Sequence, residues 1–103
     1  MNIRILRSAR RTVAAGIHFY DGQQSGLGAY FLSSIMSDIR SLGIYAGVHP
    51  KHYNSYYRMV CTKFPYSIYY RIEDSHVDVY AVLDDRRDPE FIRDVLADKD
   101  TEA

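Results

Sequence analysis

Tryptophan is absent from this 103-residue chain, cysteine occurs once, proline three times, and the formal net charge is zero. The lone Cys61 rules out an intramolecular disulfide and any zinc cluster built on cysteines. It falls in a run that reads as a strand, where a small buried hydrophobe is expected. Thirteen basic residues against thirteen acidic ones argue against strong non-specific nucleic-acid binding, which leans on a basic excess or stripe. No apolar run approaches the roughly 18 residues that span a bilayer. The opening MNIRILRSARR lacks the longer apolar stretch of a secretory signal. A cytoplasmic protein without membrane contact is expected.

What the chain has is tyrosine. Ten tyrosines and four phenylalanines suit a half-buried sheet, each ring packed and each hydroxyl bonded or wet. A chain of this length supports one modest core. A single domain over residues 1–98 is expected, with a polar tail over 99–103 and fraying through ADKDTEA.

Residues Asn2 to Leu6 alternate polar and apolar and predict a short strand at or near a sheet edge. Ser8 is placed to cap a helix starting near Ala9. Val13, Ile17 and Tyr20 recur at helical spacing, with Ala9, Ala14 and Ala15 small enough for a close neighbour. Gly16 costs that helix up to about 1 kcal/mol against alanine. Asp21-Gly22 and Ser25-Gly26 read as turns. Leu27, Phe31, Ile35, Ile39 and Leu42 form one stripe of a second helix, closed by Gly43. Residues 44–54 read as loop.

Three strands follow, over Tyr56 to Thr62, Tyr66 to Ile72 and Val77 to Leu83. In the last, Val77, Val79 and Ala81 alternate with Asp78 and Tyr80, the period of a sheet buried on one face. Glu73 to His76 suits a hairpin turn, and Pro65 belongs between strands. Pro89 opens a short helix with Phe91, Ile92, Val95 and Leu96 on one side. The sum is an α+β domain: an N-terminal strand, a helical hairpin packed on a mostly antiparallel sheet, and a short C-terminal helix.

Three segments carry a family resemblance. HFYDGQQSGLGAYFLSSI (His18 to Ile35) has an aromatic pair, a polar turn and a second helix with Phe31 in its first turns. YYRMVCTKFPYSIYYRI (Tyr56 to Ile72) turns on Phe64-Pro65-Tyr66. VDVYAVLDDRRDP (Val77 to Pro89) runs a strand into an acidic and arginine-rich exit. In this order and spacing the chain resembles the RelE/ParE toxin superfamily, in its ParE-like, plasmid-stabilisation branch, from Ile3 to about Leu96. The resemblance implies a cognate antitoxin as partner and no cofactor or metal. For ParE-like members it implies inhibition of DNA gyrase. For RelE-like members it implies metal-independent cleavage of mRNA on the ribosome. It also implies apolar surface that the antitoxin hides, hence self-association of the isolated chain.

RNA cleavage needs an acceptor for the 2′-hydroxyl proton, cations for the phosphorane and a donor for the leaving oxygen. Arg58 and Arg87 fit the RelE-like pattern. Val60 and Ser67 stand where it prefers basic residues, no tyrosine follows Tyr80, and Phe91 cannot exchange a proton. No catalytic set is therefore assigned, and an enzyme is the less favoured reading. Target contacts are expected from Arg58, Arg71, Arg86 and Arg87, although the DDRRD run can compensate itself with ion pairs. Partner contacts are expected from Tyr66, Tyr70 and Phe91, aromatics being enriched at interface cores. Arg4, Arg7, Arg10 and Arg11 read as a solvated face. His49 and His52 lack the company of a metal site and read as solvated loop residues, as do His18 and His76.

Overall fold

The computed structural model describes residues 1–53 and 55–99. The first strand, β1 (Asn2–Ile5), leads into α1 (Arg7–Gln23) and α2 (Leu27–Tyr45). Four strands follow: β2 (Lys51–His52), β3 (Tyr56–Val60), β4 (Tyr66–Glu73) and β5 (His76–Asp84). A last helix, α3, spans Pro89–Lys99. The sheet order is β1-β5-β4-β3-β2, with β1 parallel to β5 and every other pair antiparallel. The expected α+β architecture is what the chain forms, with β1 at an edge. The expected tail at 99–103 lies, beyond Lys99, outside the described residues, and α3 takes in Ala97 to Lys99, the first three residues of the stretch expected to fray.

The helical hairpin covers one sheet face because α1 and α2 each bury a stripe. Val13, Phe31, Ile35, Ile39 and Leu42 meet Tyr66, Ile68, Tyr70, Val77, Val79 and Val82. Ala14 and Ala15 face solvent; the close approach is made by Gly16, where a Cβ would stand 2.6 Å from the Phe31 ring. Ser8 does not cap α1. Leu6 is the cap residue, and the Ser8 hydroxyl bonds the carbonyl of Tyr80 at 3.3 Å. Nor does the chain turn at Asp21-Gly22, which stays helical. The Asp21 Oδ1 instead accepts from the N–H groups of Gly26 (2.9 Å) and Gly28 (3.3 Å). One helix thereby caps the N-terminus of the next. Gly26, at φ +91°, supplies the left-handed residue of that turn. Gly43 is interior to α2, which ends at Tyr45 with Ala46 as its C-cap, and Gly47 takes the positive φ.

The second sheet face is not left open, contrary to the one-sided alternation expected of β5. Tyr69 pairs with Ala81 but Tyr70 pairs with Val79, so Tyr80 is an extra residue in the ladder. This bulge turns Tyr80 and Ala81 to the same side. There they join Tyr56, Tyr69, Leu83, Ile92 and Leu96 in a second core beneath α3. Asp88 holds the start of α3 by accepting from the Glu90 N–H at 2.8 Å. The Tyr56 hydroxyl donates to the carbonyl of Leu96 at 3.1 Å and ties down its far end.

Two polar links secure the edges. Arg4 forks onto Asp78 at 2.8 and 2.9 Å, and Asp78 is 2% exposed. That guanidinium holds the carboxyl below its ordinary pKa. At the other end the Tyr70 hydroxyl accepts from Gly47 N–H at 3.0 Å and lies 2.5 Å from His49 Nδ1. The hydroxyl keeps a proton to donate and a second lone pair to accept with, so this contact suits either tautomer of a neutral imidazole. His49 is thus a half-buried partner of Tyr70, not a solvated loop residue.

Two predictions follow from these contacts. Gly16→Ala and Gly28→Ala should each destabilise by about 1–3 kcal/mol, read as denaturant midpoints. The first drives a methyl into a ring hemmed by Tyr20, Phe64 and Tyr66; the second drives one to 2.6 Å from the Ile17 carbonyl oxygen. Gly22→Ala, with nothing within 4 Å, should stabilise by up to about 1 kcal/mol; equal effects at all three positions would refute the packing argument. For His49, burial lowers the folded pKa below 6.5. The unfolded chain binds that proton more tightly, so the contribution is full above about pH 6.5 and is lost as pH falls. His49→Asn, which keeps an acceptor that cannot be protonated, should flatten the drop in stability between about pH 7.5 and pH 5.

Candidate interaction grooves around Arg87

Two hollows adjoin at the exit of β5, and Arg87 lines both. The larger, about 520 Å³, runs between α1 and α3. Arg11, Ala15 and Phe19 stand four apart on one wall; Phe91 and Val95 stand four apart on the other. Tyr66 and Leu83 form the floor, with Asp84, Arg86 and Arg87 at the mouth. Phe19 is 53% exposed and Phe91 38%, so each wall shows an aromatic ring to solvent.

The charges at the mouth divide unequally. Arg86 forks onto Asp84 at 3.0 and 2.8 Å, holding that carboxyl below its usual range. This is the self-compensation expected of the DDRRD run. Arg87 instead lies 3.8 Å over the Phe91 ring. Among the described residues neither Arg11 nor Arg87 has an ion-pair partner.

The smaller hollow, about 220 Å³, is lined by His52, Tyr53, Arg58, Tyr69, Asp85, Arg87, Pro89 and Ile92. It brings together the two arginines expected on the RelE-like pattern. Arg58, expected to contact a target, is engaged within the protein. It donates to Ser67 Oγ at 3.0 Å and approaches Asp85 at 3.2 Å. Burial opposes its charge, and the contact with Asp85 outweighs that and raises its pKa. Arg71 shares the Arg58 face, as the register allows. Its guanidinium sits 4.2 Å over Tyr56 and 5.0 Å over Tyr80 and donates to Ser55 Oγ at 2.6 Å. It is held by rings rather than presented to solvent.

Of the three aromatics expected at a partner surface, Phe91 is open, Tyr66 is 7% exposed on the groove floor, and Tyr70 is fully buried. Burial lifts the Tyr66 hydroxyl to about 12. Cys61 is the buried hydrophobe expected, at 7% exposure, with its thiol pushed up to about 12 by desolvation and the nearby Asp38. Asp38 went unnoticed in the sequence. From α2 it accepts from the backbone and hydroxyl of Thr62 and fixes the chain before the Phe64-Pro65-Tyr66 turn. Arg11, Ala15 and Phe19 were also missed as groove residues, though their four-residue spacing along one helix was visible. Among the described residues no group of three or more His, Cys, Asp or Glu is arranged to hold a metal ion. No helix among them is long and apolar enough to cross a membrane.

No protein-family profile matches the sequence, and no curated protein sequence does. A solved structure titled as the chromosomal ParDE toxin–antitoxin system from P. aeruginosa is similar in fold. The match covers 80% of this chain and 92% of that one, with a TM-score of 0.74 and 14% identity. At that identity the likeness establishes the ParE-like fold, and fold alone does not carry function.

Proposed function

We propose that the chain is the toxin component of a type II toxin–antitoxin system, acting in the cytoplasm without chemistry of its own. The fold match, at a TM-score of 0.74, is the observation that supports this reading most. The open apolar groove between α1 and α3 agrees with it, since a surface of that kind calls for a protein partner. The partner in this reading is a cognate antitoxin, and the cellular target is DNA gyrase. Target contact falls to Arg86 and Arg87, which stand at the surface, while Arg58 and Arg71 are engaged inside the protein. Without its partner the chain self-associates through exposed apolar side chains such as Phe19, Ile44 and Val48.

A second reading draws on the smaller hollow, where Arg58 and Arg87 stand near His52 and Tyr53. Two cations, a titratable ring and a phenol are the ingredients of metal-independent RNA cleavage. The Asp85 carboxylate facing Arg58 weighs against it, because it occupies the charge a phosphate would need.

Regulated expression in a bacterium should arrest growth, and co-expression of the small reading frame beside this one should relieve it. Purified protein should then abolish supercoiling by gyrase and leave a translation extract unaffected. Translation arrest with cut mRNA, lost in an Arg58→Ala/Arg87→Ala variant, would install the nuclease reading instead. Silence in all three assays would remove both readings and leave an interaction module of the same fold.

A further inference from the structure

Charge is segregated along this chain even though it sums to zero. No acidic residue precedes Asp21, whereas eleven of the thirteen lie from Glu73 onward. The first half of α1 therefore carries Arg7, Arg10 and Arg11 unopposed. All three are exposed, and none has an ion-pair partner among the described residues. Helical spacing sets Arg7, Arg11 and the exposed His18 along one crest, opposite the buried Ala9, Val13 and Gly16, with Arg10 beside it. This placement works against the helix. Arg7 is three residues from Arg10 and four from Arg11, so like charges adjoin on its surface. They also stand toward the positive end of the helix dipole, behind a first turn that has neither an acid nor a side-chain cap. Repulsion that the fold does not need marks a face kept for something outside it.

We infer that the crest of α1 binds double-stranded DNA through its phosphates. The surface around the arginines decides among polyanions. Ala14 and Ala15, both exposed, are too small to anchor a protein segment or to enter a bilayer. The apolar stripe of α1 is buried against the rest of the domain and cannot turn to lipid. Phe19 is the one large apolar side chain exposed on α1, and a single-stranded nucleic acid asks for a row of rings. A duplex asks only for cations at a suitable pitch on a backbone that can come close, which arginines among alanines supply. Arg7 and Arg11 lie about 6 Å apart along the helix axis, and Arg7 and His18 about 17 Å. Phosphates recur every 3.4 Å or so of axis on each strand, so the arginines reach separate ones. The B-form major groove admits a helix, bringing both phosphate walls within reach, whereas the A-form groove of RNA is too narrow. Contact to phosphates carries no sequence preference. The inference goes beyond the toxin reading and stands whether or not that reading holds.

The test titrates the full chain into a short labelled DNA duplex of mixed sequence, read by fluorescence anisotropy. Binding should weaken as salt is raised, with a log–log slope of about −3, one unit for each of Arg7, Arg10 and Arg11. Arg7→Ala with Arg10→Ala and Arg11→Ala should cost at least about tenfold in low-salt affinity and flatten that slope. Lysine at the same three positions should keep most of the binding, because the charge is retained. The alanine variant should unfold at the wild-type denaturant midpoint or above it, since it relieves repulsion; lost binding is then not lost folding. A lowered midpoint overturns the inference, because the arginines would then serve the fold. So does a duplex that the wild type leaves unbound, or one that the alanine variant binds equally well. Tighter binding to an RNA duplex of the same sequence overturns it too, as does capture by phosphatidylserine vesicles without binding to the DNA duplex.

Discussion

The Phe31 ring is the contact on which the rest of this fold depends. It sits against Gly16 of the neighbouring helix, stacks on Tyr20 at 5.0 Å between centroids, and meets Phe64 and Tyr66 at 5.0 and 5.1 Å. Through it the helical hairpin is locked to the turn between β3 and β4. The absence of a side chain at Gly16 is what lets α1 and α2 come close enough for this. A glycine that lowers the helix propensity of α1 thus raises the stability of the hairpin. The same turn reaches β5 as well, since the carbonyl of Pro65 accepts from the Asp85 N–H at 2.8 Å. The three sequence segments that carry the family resemblance therefore meet in one place.

A single extra residue in β5 gives the molecule its second layer. Without the bulge at Tyr80, strict alternation would put Ala81 beneath the hairpin with Val77 and Val79, and the opposite face would lack it. With the bulge, Tyr80 and Ala81 lie together under α3, and β5 is buried on both faces from Val77 to Leu83. Arg71 is trapped between Tyr56 and Tyr80 as part of the same arrangement. The cover over the second face then becomes one wall of the large groove, so the backbone irregularity and the interaction surface share an origin.

Zero net charge conceals a structured distribution. Arg4 neutralises the buried Asp78, Arg58 faces Asp85, and Arg86 is clasped by Asp84. These pairs span strands and turns that lie far apart in the chain or fold back on themselves, and they engage three of the thirteen basic residues. Arg11 and Arg87, two of the basic residues without an ion pair among the described residues, line the groove. The more exposed Arg86–Asp84 pair contributes little to stability; its effect is to decide where positive potential survives.

Much of the architecture was legible because it rests on local periodicity. The stripe Phe31-Ile35-Ile39-Leu42, the tyrosine-rich strands, the hairpin at Asp74 and the Pro89 helix start all follow from spacing and backbone chemistry within a few residues. The misplacements were of a different kind. Ser8 and Asp21-Gly22 carry local start and stop signals that tertiary contacts overrode, since a carbonyl of β5 took the Ser8 hydroxyl and the N-terminus of α2 took the Asp21 carboxylate. Helix α2 runs past Gly43 through the exposed Ile44 and Tyr45, and Gly47 takes the positive φ. The two-residue β2, the extra position of Tyr80 and the engagement of Arg58 by Asp85 depend on registers between strands. The amino-acid order by itself determined the element types, the apolar stripes and the α+β class, because hydrophobic period is a property of neighbours in the chain. Only the tertiary structure decided which arginines remain unpaired, which tyrosines reach the surface and where the groove opens, because those are properties of neighbours in space.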